Sequence, residues 1–339
     1  MAHVTRRSLV RLPLYFTAGS LTTLFGQSVL IKLGTGAPKG SSWHDALNQM
    51  KQDWARVSNG AIRVNIYAGG VAGDDTELVR KIQRRGLDTI GISGLGLSRI
   101  EPGVNCLNIP MMVESYAEFD HIREKVTPLI EKRIESKGFR ILNWTDIGWV
   151  HFFTKTPAKT LDDIRQLKLW ISTGDPNTEK LYKQLGFRVV PLPVTDVLTS
   201  LQTGLIEAFQ APPLFAMLER SFEAVNNMID MRWAPLVGAT IISDRAWQRI
   251  PEDIRPQMLT AARKAGDQMR DEIRSLDRDA IVQMKQRGLN VIEPDAATLS
   301  DWRRQAEAAY PALRGTMVPE DLFDEVKRHR DAYRASKSS

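Results

Sequence analysis

Three short stretches carry residue types that could do chemistry. GTGAPKG (34–40) follows an apolar run and has the glycine content of a loop whose backbone N–H groups cradle phosphate. GISGLG (91–96) sets Ser93 among glycines, as a nucleophile elbow does. Cys106, the only cysteine, could act as a thiolate with His121 or His151 as its base. Each fails on spacing or setting. A GxGxxG loop needs glycine at position 39, where Lys39 stands, and no Gly-Lys-Ser/Thr occurs for a P-loop. GxSxG needs glycine at position 95, which is Leu95. Cys106 lies beside Leu107 and Ile109, the setting of a core thiol. Asp74 and Asp75 form a carboxylate pair, but at a helix start such residues cap the helix. The five histidines make no HxxxH pair, so no metal and no cofactor is expected. No catalytic set survives, and a binding protein is the default reading. A hydrolase or isomerase is the alternative, and Ser93 with His151 is the pair it would need.

Those residues are positioned by elements whose periodicity can be read. Val29–Leu33 is an apolar strand candidate. Trp43, Leu47, Met50 and Trp54 then recur at helical steps within 43–56. A strand at 62–70, a helix at 76–85 ended by Gly86, and a strand at 87–93 complete a β-α-β-α-β block, the pattern of a parallel sheet with covering helices. A helix at 116–136 leads to strands at 139–144 and 149–155. A second block follows: strand 167–172, helix 176–185, strand 187–192, helix 195–204, strand 206–210 and helix 213–223. Two blocks predict an α/β protein of two lobes, with the ligand beyond the carboxyl ends of the strands. Residues 29–148 plus 235–285 are expected in lobe I, and 149–234 plus 286–339 in lobe II. Residues 144–152 and 232–238 are the hinge candidates.

Between Pro251 and Gly288 one apolar stripe runs through Ile254, Met258, Ala262, Ala265, Met269, Ile273, Leu276, Ala280 and Met284. At 1.5 Å per residue such a helix is roughly 50 Å long, enough to lie across both lobes. A coiled coil that swaps between two chains is the competing expectation, so monomer and helix-swapped dimer both stay open. Helices at 296–309 and 319–335 close the chain.

The formal charge is +6, and three of the arginines, Arg6, Arg7 and Arg11, fall in the first 28 residues, which contain no acid. The remaining excess is small and scattered, which argues against nucleic acid as a partner. That first segment has a basic start, an apolar run and small residues, the order of an export signal. TRRSLVR (5–11) resembles the twin-arginine form, and Gly26 and Ser28 suit a cut before Val29. No cysteine follows the run, which excludes a lipoprotein. The expected location is the periplasm.

Taken together, several stretches resemble one family, the extracytoplasmic solute receptors of TRAP transporters (the DctP-like group). They are GTGAPKGSS (34–42), YAGGVAGDDTELVRKIQRRGLD (67–88), LNIPMM (107–112), TLDDIRQLKLWIS (160–172), LGFRVVPLPVTDVLTSLQTGLIEAFQ (185–210) and SDRAWQRIPEDIR (243–255). The resemblance implies a periplasmic-binding-protein type II-like fold: two α/β lobes, crossing strands and a long spanning helix. It implies a solute caught between the lobes, often a sugar acid or organic acid, and delivery to integral-membrane permease subunits. Presentation to a signalling partner is a further alternative.

The departures from the family pattern set the expectation for the ligand. Where the family places a carboxylate-gripping arginine, this chain has Trp170. A second arginine position falls on Val150, an asparagine position on Ala211, a helix-opening polar position on Trp43 and a glutamate position on Ser93. Another branch uses a Glu-Trp pair to hold a cation, and here that pair reads Gln210-Ala211. An unpaired carboxylate is strongly disfavoured among such groups. The expected ligand is therefore small and largely apolar or neutral, with aromatic, terpenoid and lipid-like molecules as the candidates. An organic acid bound without the usual arginine is the alternative. Trp43, Trp149, Trp170 and Phe209 are the expected walls, with Met112 and Phe215 beside them and Val150, Val194 and Ala211 completing the lining. Ser93, His151 and Gln210 are the expected orienting groups.

Overall fold

The computed structural model describes residues 28–173 and 176–337, so the export-signal reading of the first 28 residues lies, but for Ser28, outside the described residues. Caps and apolar faces build the first lobe. β1 (Val29–Thr35) leads to α1 (Ser42–Val57), where Ser41 caps the helix and Trp43, Leu47, Met50 and Trp54 are buried. The loop between them is thus a turn before a capped helix. β2 (Ile62–Tyr67), α2 (Asp75–Gln83) and β3 (Thr89–Ser93) follow, then α3 (Gly94–Leu97), α4 (Tyr116–Ser136) and β4 (Phe139–Trp149). The chain crosses into β5 (His151–Thr154), α5 (Leu161–Gln166), β6 (Lys168–Ser172) and α6 (Pro176–Gln184). β7 (Arg188–Leu192), α7 (Val197–Thr203), β8 (Ala208–Ala211), α8 (Pro213–Leu218) and β9 (Asn227–Ile229) come next. The return runs through β10 (Pro235–Ser243), α9 (Asp244–Gln248), α10 (Arg255–Gln286) and β11 (Asn290–Ile292). α11 (Ala296–Ala308), α12 (Tyr310–Leu313) and α13 (Glu320–Lys337) end the described chain.

Two sheets result, in the orders β2-β1-β3-β10-β4 and β11-β9-β5-β8-β6-β7. This is the expected two-lobed α/β architecture with crossing strands and a long spanning helix. The lobes are joined where β4 passes into β5, where β9 passes into β10 and where α10 passes into β11. The first two crossings are bonded to each other: the Val150 N–H donates to the Ala234 carbonyl and the Trp233 N–H to the Val150 carbonyl, both at 2.9 Å. α10 packs on α1 and β4 of the first lobe and on α8 of the second. Gly266 permits the close approach to β4, since a Cβ there would stand 2.7 Å from the Trp144 carbonyl oxygen.

The first block is parallel over β1–β3, as expected. β10 joins it antiparallel to both β3 and β4, so the whole sheet is mixed, and two other expectations change. β10 is buried along nearly its whole length, so it carries no alternation by which to recognise it. β4 is one strand to Trp149 rather than ending near 144, because β10 pairs along it through two register shifts. The C-terminal segment divides. Trp302 and Ala306 pack with the second lobe's Phe152 and Leu169, whereas Tyr310, Leu313, Leu322, Phe323 and Val326 join the first lobe's core beside α4. Residues 310–337 therefore lie on lobe I, not on lobe II. Helical periodicity shows that such a helix has an apolar face and does not show which core receives it.

Candidate ligand-binding cleft

The carboxyl ends of β3 and β6 meet across the gap between the lobes. Arg99, just beyond α3, donates Nη2 to the carbonyl of Thr173, just beyond β6, at 2.9 Å. Trp170 lies three residues before that carbonyl. Its indole is half-buried and donates Nε1 to the Leu192 carbonyl at the end of β7 (3.0 Å). That bond fixes the ring against the parallel neighbour strand. Trp43, in the first turn of α1, is 8% exposed and donates Nε1 to the Asp146 carbonyl (3.1 Å). Trp43, Ala211 and Trp170 belong to one apolar cluster with Phe215, Val190 and Leu192, and that cluster joins side chains of both lobes.

The remaining expected site residues divide into two groups. Val150 is half-buried at the crossing point and packs on the second lobe's core. Gln210 is half-buried and exchanges hydrogen bonds with the Tyr182 hydroxyl at 3.3 Å. Val194 is exposed. Four others are core rather than cleft. Phe209 is 1% exposed and stacks on Phe153 at 4.7 Å, because β8 and β5 pair these two residues directly. Trp149 is buried in the first lobe's core with its ring 5.4 Å from that of Tyr116. Met112 is buried, and its Sδ accepts from Arg330 Nη1 at 3.3 Å. His151 is buried with Nδ1 on the Ile229 carbonyl at 3.2 Å, and burial pushes its pKa down.

Ser93 faces a group that reading by helix caps alone passes over. Asp74 caps α2 by accepting from the Glu77 N–H (2.9 Å), so Asp75 is free to do something else. The Ser93 hydroxyl donates to Asp75 Oδ2 and accepts from the Gly96 N–H at 3.1 Å. Burial raises the Asp75 carboxyl to about 6, against the opposing effects of the Ser93 hydrogen bond and the nearby Arg99 charge. Arg99 and Asp75 thus bring a cation and a proton-binding acid to the carboxyl end of β3. The signal was positional only, since both lie in segments flanking a strand's carboxyl end.

The sign of the Asp75 effect is testable. Its folded pKa of about 6 lies above the ordinary aspartate value, so its contribution to stability is complete below roughly pH 4. That contribution is lost as pH rises through about 6. Asp75→Asn stays neutral throughout. The melting temperature of Asp75→Asn relative to the parent should therefore climb between pH 4 and pH 7. A difference that is flat over that range would show that the carboxyl titrates normally.

Several candidate chemistries receive no support from the geometry. Ser93 and His151 make their hydrogen bonds to different partners, in different lobes. Cys106 is buried, and burial pushes its thiol up to about 12. Among the described residues no group of three or more His, Cys, Asp or Glu is placed to hold a metal ion. No described helix is long and apolar enough to cross a membrane. The arginines that meet Asp146, whose carbonyl holds Trp43, are already committed. Arg123 and Arg274 hold the Asp146 carboxylate at 2.6 and 2.7 Å and share Asp120, and Arg274 stacks at 4.0 Å over the Tyr116 ring.

The model of the DctP family, described as bacterial extracellular solute-binding protein, family 7, matches residues 33–315. The chain belongs to this family. It is 22% identical over 275 residues to the sialic acid-binding periplasmic protein SiaP of Vibrio cholerae serotype O1, covering 78% of this chain and 83% of that one. It is 21% identical over 290 residues to the 2,3-diketo-L-gulonate-binding periplasmic protein YiaO of Escherichia coli K12, covering 84% and 87%. The fold superposes with a TM-score of 0.83 on the sugar acid binding protein DctPAm of Advenella mimigardefordensis, solved with galactonate, at 17% identity over 90% of this chain and 99% of that one.

Proposed function

We propose that this DctP-family protein is the periplasmic receptor of a TRAP-type transporter. It captures a small, largely apolar or neutral ligand between its lobes and hands it to membrane permease subunits, without catalysing a reaction. The observation that carries the ligand class is the Trp170 indole, held on Leu192 within the two-lobed apolar cluster that includes Trp43 and Ala211. Closing such a cleft on apolar surface stabilises the complex by roughly 25 cal/mol per Å² buried. A carboxylate set against the same rings would lose its hydration without a partner.

A second reading has its own support. Arg99 brings a guanidinium to the crevice; two of the relatives above are named for sialic acid and 2,3-diketo-L-gulonate, and the similar solved structure holds galactonate. A carboxylate could be met there by displacing the Thr173 carbonyl. Native mass spectrometry of protein purified from its own cells separates the readings, together with melting curves in sialic acid and in galactonate. The expected result is a co-purifying neutral, apolar mass, with a melting temperature that neither acid moves. A rise of several degrees with either acid would overturn the apolar assignment in favour of Arg99.

A further inference from the structure

We propose that Asp277 is the positioning residue of the cleft, a buried carboxylate that clamps to the spanning helix the two chain segments carrying Val150 and Ala211. This rests on the receptor reading only in calling the interlobe crevice the binding cleft. Asp277 sits on the buried stripe of α10, between the fully buried Ile273 and Ala280, and is itself 5% exposed. Its Oδ1 accepts from the backbone N–H of Leu214 at 3.0 Å. The Trp149 backbone amide, at the end of β4, also acts to hold this carboxyl's pKa down. Leu214 is three residues beyond Ala211, in the first turn of α8. Trp149 immediately precedes Val150 at the crossing from β4 to β5.

The backbone around the carboxylate is shaped to it. Gly148 has φ +133, and a Cβ there would stand 3.0 Å from both Asp277 oxygens and 2.8 Å from the Pro212 Cβ. Only glycine leaves room for β4 and the start of α8 to approach the same carboxylate. A buried acid among apolar neighbours is costly unless something must be held. Here it accepts from the Leu214 amide, which lies in the first turn of α8 and has no helical partner, and it stands against the Trp149 amide at the end of β4. The amides belong to the hinge strand and the second lobe, and the acceptor belongs to the helix that joins the lobes. Val150 and Ala211 therefore keep a fixed spacing when the lobes rotate, and the rotation is taken up elsewhere in the crossings. Burial raises the acid to about 7, against the two amide hydrogen bonds and the charge of Arg278, so a neutral acceptor of the same shape should serve.

Hydrogen exchange on the ligand-free protein tests this, with Asp277→Asn and Asp277→Leu compared. Asp277→Asn keeps an acceptor and should leave the Trp149 and Leu214 amides protected as in the parent. Asp277→Leu should expose both amides by about tenfold or more, with β1–β3 unchanged. Spin labels at Lys51→Cys on α1 and Lys180→Cys on α6, both exposed positions, should report a broader interlobe distance distribution only in the Leu variant. Buried Cys106 does not compete for the label. Unchanged protection of both amides in Asp277→Leu would overturn the clamp. So would a loss spread equally over β1–β3, which would mark a role in global stability alone. Neither outcome depends on the class of ligand.

Discussion

Asp146→Ala is expected to destabilise the protein by about 3–5 kcal/mol, measured by urea unfolding at neutral pH. Asp146 is 2% exposed on β4 and holds Arg123 Nη1 on Oδ1 at 2.6 Å and Arg274 Nε on Oδ2 at 2.7 Å. The same two arginines grip Asp120 from α4, so two cations and two anions lock α4, β4 and α10 together. Alanine leaves two largely buried guanidinium groups facing one partly exposed carboxylate, and uncompensated buried charge dominates the cost. The contrast is Asp53→Ala on α1. Asp53 pairs with an Arg56 whose side chain is 74% exposed, and such surface pairs contribute at most about 1 kcal/mol. A loss below about 1 kcal/mol for Asp146→Ala would mean that the quartet is an ornament of the fold rather than a joint in it. The joint bears on the proposed cleft because the Asp146 carbonyl also holds the Trp43 indole.

The long periodic elements were legible in the amino-acid sequence because their signals are local. The Trp43-Leu47-Met50-Trp54 face and the stripe from Met258 to Met284 follow from helical spacing alone, and the two β-α blocks give the two lobes. What escaped is decided by tertiary pairing. β10 is apolar without alternation, and its place between β3 and β4 comes from long-range pairing. β8 has four residues, of which Ala208, Phe209 and Ala211 are all buried, so no alternation says which side chain meets the cleft. Trp149 and Val150 raise the same difficulty at the crossing. On α10 the periodic reading placed Leu276 on the buried face. Leu276 is only half-buried, and that place belongs to Asp277, four residues beyond Ile273. An acid at a core position is what pattern reading discards, and here it marks a buried hydrogen-bond acceptor. Arg99 escaped for a related reason: a lone cation in a loop looks solvated until the other lobe brings a carbonyl to it.

The sharpest test of the cleft is Trp170→Arg. The position is half-buried at the lobe surface, and an arginine there can donate to the Leu192 carbonyl as the indole does. The fold should therefore survive, with a melting temperature within a few degrees of the parent. Affinity for the ligand carried from the cell should fall steeply. A closed cleft would cover about another 100 Å² of the ring, which at 25 cal/mol per Å² is about 2.5 kcal/mol, or roughly 70-fold in the dissociation constant. The same change should create affinity for galactonate, because a planar guanidinium offers a carboxylate two parallel hydrogen bonds where the indole edge offers one donor already in use. Calorimetry of both proteins against galactonate reads the gain, and native mass spectrometry reads the loss. If the parent already binds galactonate at micromolar concentration and the arginine changes that little, Trp170 is packing for the second lobe. The anion would then be held from the other side, by Arg99. Trp170→Phe distinguishes the two roles of the ring. It keeps most of the apolar wall and removes the Nε1–Leu192 bond, so a small loss of affinity with a clear loss of stability would assign the indole chiefly to β6–β7.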